Sequence, residues 1–241
     1  MKVLFFLLLP FASLSQSYMH GTLIVAYQTD SNIVVGEDSK VEHTQFITNA
    51  AGDSIRKDSV YYREKTYKTK HGYFSMSGLD IGNNIFIIDS CIRNSIDLRA
   101  AARMLVKVMP DTLKMQYEDI RKLHREYFMK MFDHIGLALL LFGIENGEPT
   151  LLQVIFKISS KAEESIAIFP GWFPVYNDLA AIGTYNDLDF SVCKINIKNT
   201  NQSAHKCIRD FIRTTSGKFD AVGGDIKVVT IKKDGTYEIN Q

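Results

Sequence analysis

The segment Thr22–Ser39 reads TLIVAYQTDSNIVVGEDS, and it encodes two apolar strands around one polar turn. Thr22–Thr29 is rich in β-branched and aliphatic residues, which favour extended structure. The next three residues, Asp30–Asn32, have the short polar side chains that are typical of turns. Ile33–Asp38 is the returning strand. The segment therefore predicts a β-hairpin whose second strand ends in a carboxylate.

Strand patterns recur along the chain on both sides of a central helical region. The dipeptide Asn146-Gly147 lies between two apolar runs, which is the strongest short-range signal for a hairpin. Residues 41–64 are polar and irregular, and we interpret them as a loop, with a short hairpin turning at Ala51–Asp53 as the alternative. Further strands are predicted at Lys65–Thr69, Tyr73–Met76, Gly136–Ile144, Thr150–Ile158, Ile166–Phe169, Leu179–Gly183, Asp225–Lys232 and Thr236–Ile239.

Apolar residues at helical spacing predict helices in two regions of the chain. Asp97 is expected to cap the second helix, because a carboxylate accepts hydrogen bonds from the free N–H groups of a first turn. Val108 is expected to face inward, and Pro110 is expected to interrupt this helix because proline lacks an N–H donor. The predicted helices are Ile81–Ser95, a helix beginning at Leu98, Lys114–Asp133 and Asn201–Thr214.

This order of strands, helices, strands, one helix and strands predicts an α/β (α+β) protein. Most strand pairs are hairpins, so the sheets are expected to be mainly antiparallel. The strand segments are apolar on both faces, which indicates that each sheet is covered on both sides. Two stacked sheets with helices outside them, a four-layer αββα sandwich, satisfy that requirement. The length of 241 residues fits one such domain.

The N-terminus has the pattern of a secretory signal. Lys2 precedes the apolar run Val3–Leu9, and small residues follow it. This run is too short to span a membrane, which takes about 20 apolar residues, and a buried N-terminal strand or helix is the alternative. We predict cleavage after Ser15, with Ser17 as the alternative position. A signal peptide at 1–15 without a lipoprotein cysteine predicts a secreted or periplasmic protein with no membrane anchor.

Composition argues against several classes of function. Lysine and arginine total 28 against 27 acidic residues, so nothing indicates a nucleic-acid partner. The six histidines are scattered without a metalloprotease motif, and we expect no metal site. Position favours Cys193 and Cys207 as the pair if a disulfide forms, although free buried thiols are the preferred interpretation for these two and Cys91. A hydrolase using Cys207 and His205 is rejected, because residues two apart on a helix point apart.

Five segments, in this order, carry a resemblance to a known family. They are Gly21–Ala26, Ile33–Ser39, Lys65–Lys68 with Tyr73–Gly78, Ala181–Thr184 and Val222–Val229. Together they resemble proteasome-type subunits, which include the proteasome β subunits and a simpler bacterial protease that works with an ATP-driven unfoldase. These proteins are N-terminal nucleophile hydrolases with the αββα fold. The resemblance spans nearly all of residues 21–241, which we treat as one domain, 22–241, behind a six-residue propeptide remnant, 16–21.

The resemblance implies a catalytic role for specific residues. The family cleaves itself after a glycine, here Gly21, and the exposed threonine, here Thr22, becomes the nucleophile with its own α-amine as base. Asp38 and Lys65 match the family's catalytic aspartate and lysine, and Asp38 is expected to keep Lys65 charged and oriented so that its ammonium lowers the pKa of the α-amine. The remaining matches are the oxyanion donors Ser77 and Gly78 and the weaker supporting positions Thr184 and Asp220.

Departures from the family pattern leave an alternative open. Leu23 follows Thr22 where the family usually repeats threonine, and about eleven residues are inserted between Asp38 and Lys65. Thr184 replaces a serine, and Asp220 is one residue out of register. The prediction is a threonine-type amidohydrolase, acting on peptides or small amides without a cofactor, and the alternative is a catalytically inactive structural or binding subunit. By analogy with the family, a homo-oligomer is expected.

Overall fold

The structure of the protein is a computed structural model, which describes residues 16–20, 22–48, 54–78, 83–126, 128, 135–159, 166–185, 187–199 and 203–240. The predicted signal peptide, Gly21 and the turn at Ala51–Asp53 lie outside these residues. The strands are β1 (Gln16–His20), β2 (Leu23–Gln28), β3 (Asn32–Asp38), β4 (Lys40–Thr48), β5 (Ser54–Tyr62), β6 (Thr66–Thr69), β7 (Gly72–Gly78), β8 (Ile135–Glu145), β9 (Glu148–Ser159), β10 (Ala167–Pro174), β11 (Leu179–Gly183), β12 (Ile226–Lys232) and β13 (Tyr237–Asn240). The helices are α1 (Asn84–Arg93), α2 (Leu98–Leu123), α3 (Asp187–Asn199) and α4 (Ala204–Ser216).

The strands form antiparallel sheets, as the hairpin signals predict. One five-stranded sheet has the order β11-β2-β3-β12-β13, and a second has the order β10-β9-β8-β7-β6. The hairpin of β2 and β3 pairs Ile24 with Glu37 and Gln28 with Ile33, which confirms the interpretation of the first segment. At the turn between β8 and β9, Asn146 adopts a positive φ of 53°, as a tight hairpin requires.

Three clusters of buried side chains lie between the two sheets and between each sheet and the helices that cover it. Side chains from both five-stranded sheets, such as Ile24 and Leu140, pack between the sheets. Helices α1 and α2 cover the outer face of the β6–β10 sheet, where Leu105 and Leu139 belong to one cluster. Helices α3 and α4 cover the other outer face, where Ile208 packs with the strand residues. The protein is therefore α+β, and this packing is consistent with the predicted sandwich.

The helical region corrects two predictions. Helix α2 continues through Pro110, because its buried stripe runs unbroken past the proline to Leu113 and beyond. The packing of that stripe outweighs the loss of one backbone hydrogen bond. Val108 is 42% exposed, and the inward position belongs to its neighbour Met109. The expected cap is confirmed, since the Asp97 carboxylate accepts a hydrogen bond from an N–H of the first turn.

The polar region after Asp38 also differs from the first interpretation. Residues 41–64 are not a loop, because β4 and β5 pair along nine registered positions, which supports the hairpin alternative. Strand β1, which contains residues 16–20 of the predicted propeptide remnant, adds to this hairpin by pairing with β4. Helix α3 was not predicted from the sequence at all. Among the described residues, no helix has the length and apolar character needed to cross a membrane.

Candidate active site

Asp38 is the centre of the candidate site. It is the last residue of β3, and its side chain is fully buried. Its Oδ1 atom accepts a 3.2 Å hydrogen bond from the Thr22 hydroxyl and a 2.7 Å hydrogen bond from the backbone N–H of Leu23. The same oxygen lies 2.7 Å from Lys65 Nζ. The structure therefore brings together the three residues that the sequence assigns to catalysis.

The second oxygen of this carboxylate has a partner of its own. The backbone N–H of Gly223 donates a 3.0 Å hydrogen bond to Asp38 Oδ2. Gly223 lies in the loop before β12, and β12 pairs with β3 so that Ile226 lies opposite Asp38. A buried carboxylate is costly unless its lone pairs are used. Here two backbone N–H groups, one hydroxyl and one ammonium satisfy it, so the carboxylate is held in one orientation.

Thr22 is fixed from both sides. Its hydroxyl donates to Asp38, and its carbonyl oxygen accepts a 2.9 Å hydrogen bond from the backbone N–H of Thr184. The chain can approach this closely because the preceding residue is Gly183, whose φ is +113°. A Cβ atom at Gly183 would lie 1.9 Å from the Thr22 carbonyl oxygen. The close approach of β11 to the start of β2 thus places the candidate nucleophile.

Lys65 immediately precedes β6 and is 3% exposed. Burial lowers the pKa of its ammonium, and the negative charge and hydrogen bond of Asp38 oppose that effect without cancelling it. Two opposing effects therefore act on Lys65: Asp38 favours its charged form, as expected, and burial disfavours that form.

A second buried carboxylate supports the lysine segment, and sequence reasoning missed it. Glu37 accepts a 2.7 Å hydrogen bond from the Thr66 hydroxyl and a further one from the backbone N–H of Lys65. The Thr66 hydroxyl also lies 2.9 Å from the Ser75 hydroxyl on β7. Burial raises the pKa of Glu37. The signal in the sequence was an acidic residue inside an otherwise apolar strand, which rarely occurs without a partner.

The predicted oxyanion donors lie at the same end of the sheets. Thr66 pairs with Ser75, so Lys65 lies level with Met76, and Ser77 and Gly78 follow. On the other side, Ser77 and Gly78 pair with β8. Since β6 begins at Thr66, no described strand pairs with the last residues of β7 on the β6 side. The oxyanion role of Ser77 or Gly78 remains a prediction.

The two weaker supporting positions differ in their placement. Thr184 contributes its backbone N–H to the Thr22 carbonyl oxygen. Asp220 is exposed, and its carbonyl oxygen accepts a hydrogen bond from the ammonium of Lys40. Gly21, the predicted cleavage position, lies outside the described residues. Among the described side chains, no three His, Cys, Asp or Glu residues come together in a way that would hold a metal ion.

Strand β1 occupies the position directly before the candidate nucleophile. It pairs antiparallel with β4 over five positions, from Gln16 opposite Phe46 to His20 opposite Glu42. It also approaches β7, whose last residues are the predicted oxyanion donors. The chain that leads into Thr22 is therefore an added strand on the hairpin of β4 and β5.

Comparisons with known proteins do not assign the chain. No protein-family model matches it, and no curated protein matches it either.

Proposed function

We propose that this protein is a proteasome-like threonine-type amidohydrolase that is exported and acts as a peptidase. The observation that carries the proposal is the shared oxygen of Asp38, which joins the Thr22 hydroxyl and the Lys65 ammonium in a buried site. These residues come from three separate segments of the chain. A threonine that merely started a strand would need neither a buried lysine nor a buried carboxylate at its hydroxyl.

The proposed reaction begins with cleavage of the Gly21–Thr22 bond. The new α-amine of Thr22 has a pKa of about 7.7–8.0 in model peptides, and a neighbouring ammonium lowers it. The neutral amine takes the hydroxyl proton while Oγ1 attacks the carbonyl carbon of the substrate. Collapse of the tetrahedral intermediate breaks the C–N bond, and the departing amine receives that proton. Water then hydrolyses the ester and restores the hydroxyl.

The parts of the site have separate roles in this scheme. Asp38 orients Lys65 and the start of β2, and Thr184 and Gly183 hold the main chain of Thr22. A backbone N–H at Ser77 or Gly78 stabilises the oxyanion, and such stabilisation is the largest single contribution in many acyl-transfer enzymes. The scheme needs no cofactor.

Strand β1 favours a peptide over a small amide as the substrate. In the uncleaved chain, β1 supplies the residues on the acyl side of the Gly21–Thr22 bond, and they are held by backbone pairing with β4. A substrate with the same geometry is an extended chain that adds a strand to β4. The mature enzyme is therefore proposed to take unfolded or short peptides. The predicted signal peptide implies that this activity lies outside the cytosol, and homo-oligomerisation follows from the family analogy.

The decisive experiment is intact mass measurement with N-terminal sequencing of protein purified after export. The proposal expects a chain that begins at Thr22 and hydrolyses fluorogenic peptide amides. Thr22→Ala should keep residues 16–21 and lose activity by about three orders of magnitude or more. The matched control Thr29→Ala, at the far end of the same hairpin, should be processed normally.

A mature wild-type chain that begins at Gln16 or Tyr18 would contradict the proposal. Thr22 would then have no free amine, and the chain would be an inactive subunit. Thr22→Ser separates the roles further, because a serine hydroxyl keeps the nucleophile and the contact with Asp38. This variant should be processed and active, at a reduced rate.

A further inference from the structure

Two cysteines meet between the outer helices. Cys193 on α3 and Cys207 on α4 are each 4% exposed and belong to the same buried cluster. Both are free thiols in this structure, and both line one small cavity between the two helices. We propose that Cys193 and Cys207 form a disulfide that fastens α3 to α4. This inference does not depend on the proposed enzymatic function.

The third cysteine cannot compete for either partner. Cys91 lies on α1 and packs in the cluster under the β6–β10 sheet. Cys193 and Cys207 pack over the opposite face of the sandwich. Two sheets therefore separate Cys91 from the pair, and a disulfide requires Cα atoms within about 7 Å.

The position of the bond gives it a structural purpose. Helix α3 packs mainly against α4, and its outer side exposes three apolar residues, Leu188, Val192 and Ile195. Among the described residues of α3 only Cys193 is buried, and the ion pairs of Lys194 and Lys198 with Asp178 are partly exposed, so a covalent link at Cys193 opposes local opening of the helix. Helices α3 and α4 also lie, along the chain, between two residues whose backbone N–H groups bind the candidate site. Thr184, which contacts Thr22, precedes α3, and Gly223, which contacts Asp38, follows α4.

The oxidation needs an external electron acceptor. A cavity of about 200 Å³ is lined by both cysteines together with Asp189, Asn196 and Thr214. A small-molecule disulfide such as glutathione disulfide is the oxidant that we name. One thiolate attacks it and releases one glutathione, and the second cysteine then displaces the other glutathione. Two protons and two electrons leave the protein, and one S–S bond forms.

The reaction is expected to be slow unless the helices open. Burial raises the pKa of the Cys193 thiol to about 12, and burial also raises the pKa of Cys207. The thiolate is the reacting form, so a raised pKa lowers its population at neutral pH. An opening of α3 away from α4 exposes both thiols together.

The first test is a thiol count on the exported full-length protein and on protein equilibrated with glutathione disulfide. The expected result is a mass about 2 Da below that of the reduced form, one thiol that reacts after denaturation, and a disulfide-linked peptide pair containing Cys193 and Cys207. Three reactive thiols in both samples would overturn the proposal. A bond that includes Cys91, or a stable glutathione adduct without the internal bond, would overturn it as well.

The second test measures how much the disulfide stabilises the protein against thermal unfolding. For a closed loop of about 15 residues in a protein of this size, the disulfide is expected to raise Tm by about 6–12 °C. Cys91→Ser should keep the difference in Tm between oxidised and reduced protein, and Cys193→Ser should remove it. An internal bond that leaves Tm unchanged would show that α3 is not fastened, and would overturn that part of the proposal.

Discussion

Lys65 Nζ lies 2.7 Å from Asp38 Oδ1, and both side chains are almost completely shielded from solvent. The two residues are 27 positions apart, and the hairpin of β4 and β5 fills the interval between them. A buried ion pair of this kind gives little net stability over an apolar pair, but the loss of one partner strands the other charge. The pair is thus a site whose two halves depend on each other.

We expect Lys65→Met to lower the free energy of unfolding by about 3–5 kcal/mol, because it leaves the Asp38 carboxylate without its cation. The double variant, Asp38→Asn with Lys65→Met, should lose clearly less unfolding free energy than the sum of the losses in the two single variants. Urea unfolding of the wild type, the two single variants and the double variant measures this coupling.

The control for this prediction is an exposed ion pair. Lys233 Nζ lies 2.6 Å from Glu148 Oε1, with both side chains about half exposed. Lys233→Met should cost no more than about 1 kcal/mol. Equal losses of unfolding free energy at the buried and exposed lysines would contradict the prediction that Asp38 and Lys65 depend on each other. Strict additivity of the Asp38 and Lys65 changes would contradict it as well.

Glu37 makes stability depend on pH in a defined direction. Burial raises the pKa of its carboxyl above the ordinary value of 4.5. A carboxyl whose pKa is raised on folding contributes stability below its unfolded pKa, and that stability is lost as pH rises through the folded pKa. The wild-type protein should therefore lose stability relative to Glu37→Gln as the pH rises above the ordinary carboxyl value of 4.5, by about 1.4 kcal/mol for each tenfold increase in proton affinity that folding gives the carboxylate.

Thr66→Val tests the cause of that raised pKa. The hydrogen bond from the Thr66 hydroxyl lowers the pKa of Glu37 and so opposes the effect of burial. Its removal should increase the loss of stability over the same pH range. Unfolding by urea at a series of pH values measures both variants, and a difference between wild type and Glu37→Gln that does not change with pH would refute the prediction.

The hairpin around Asp30–Asn32 was predictable because its signals are local. The turn residues and the two apolar runs are sufficient to specify the pairing that the structure contains. The course of α2 through Pro110 was not predictable, because distant packing partners decide it. Helix α3 was missed because Leu188, Phe190 and Val192 alternate with polar residues, which is the period of a strand.

The candidate site was likewise predictable only in part from the sequence. The resemblance to the proteasome-type family assigned Thr22, Asp38 and Lys65, and the structure brings them together. The pairing of the segment before Thr22 with β4 required knowledge of β4 as a strand, which its polar composition concealed. The contact from Gly223 depends on a loop near the other end of the chain, and no local pattern indicates it.

Gly183→Ala should damage the site through the main chain. The Cβ atom would fall 1.9 Å from the Thr22 carbonyl oxygen, at a residue whose φ is +113°. The backbone must move to relieve this contact, so we expect a loss of more than about 2 kcal/mol in unfolding free energy and incomplete cleavage before Thr22. Urea unfolding and intact mass measurement test the two effects.

Gly147→Ala is the matched control, because Gly147 has a φ of +77° and no atom within 4 Å of the added Cβ. It carries the cost of the backbone conformation without the collision, about 1–2 kcal/mol. Normal processing of Gly183→Ala with a stability equal to that of Gly147→Ala would show that β11 does not place Thr22.

Under the proposed function, the pairing of β1 with β4 predicts that residues 16–21, once released, inhibit the mature chain. A synthetic peptide with the sequence of residues 16–21, QSYMHG, can occupy the edge of β4 that the substrate needs. Inhibition should be competitive, with an increased apparent KM and an unchanged kcat. Steady-state hydrolysis of a fluorogenic peptide at several concentrations of QSYMHG measures this.

The control peptide has the same side chains with every backbone nitrogen methylated. It cannot donate hydrogen bonds to β4, so it should not inhibit if backbone pairing is the recognition mode. Equal inhibition by both peptides would assign the effect to side chains, and a decrease in kcat alone would place the peptide away from β4. Competitive inhibition that requires the backbone N–H groups is expected only if the substrate adds to β4 as β1 does, because side-chain recognition survives methylation.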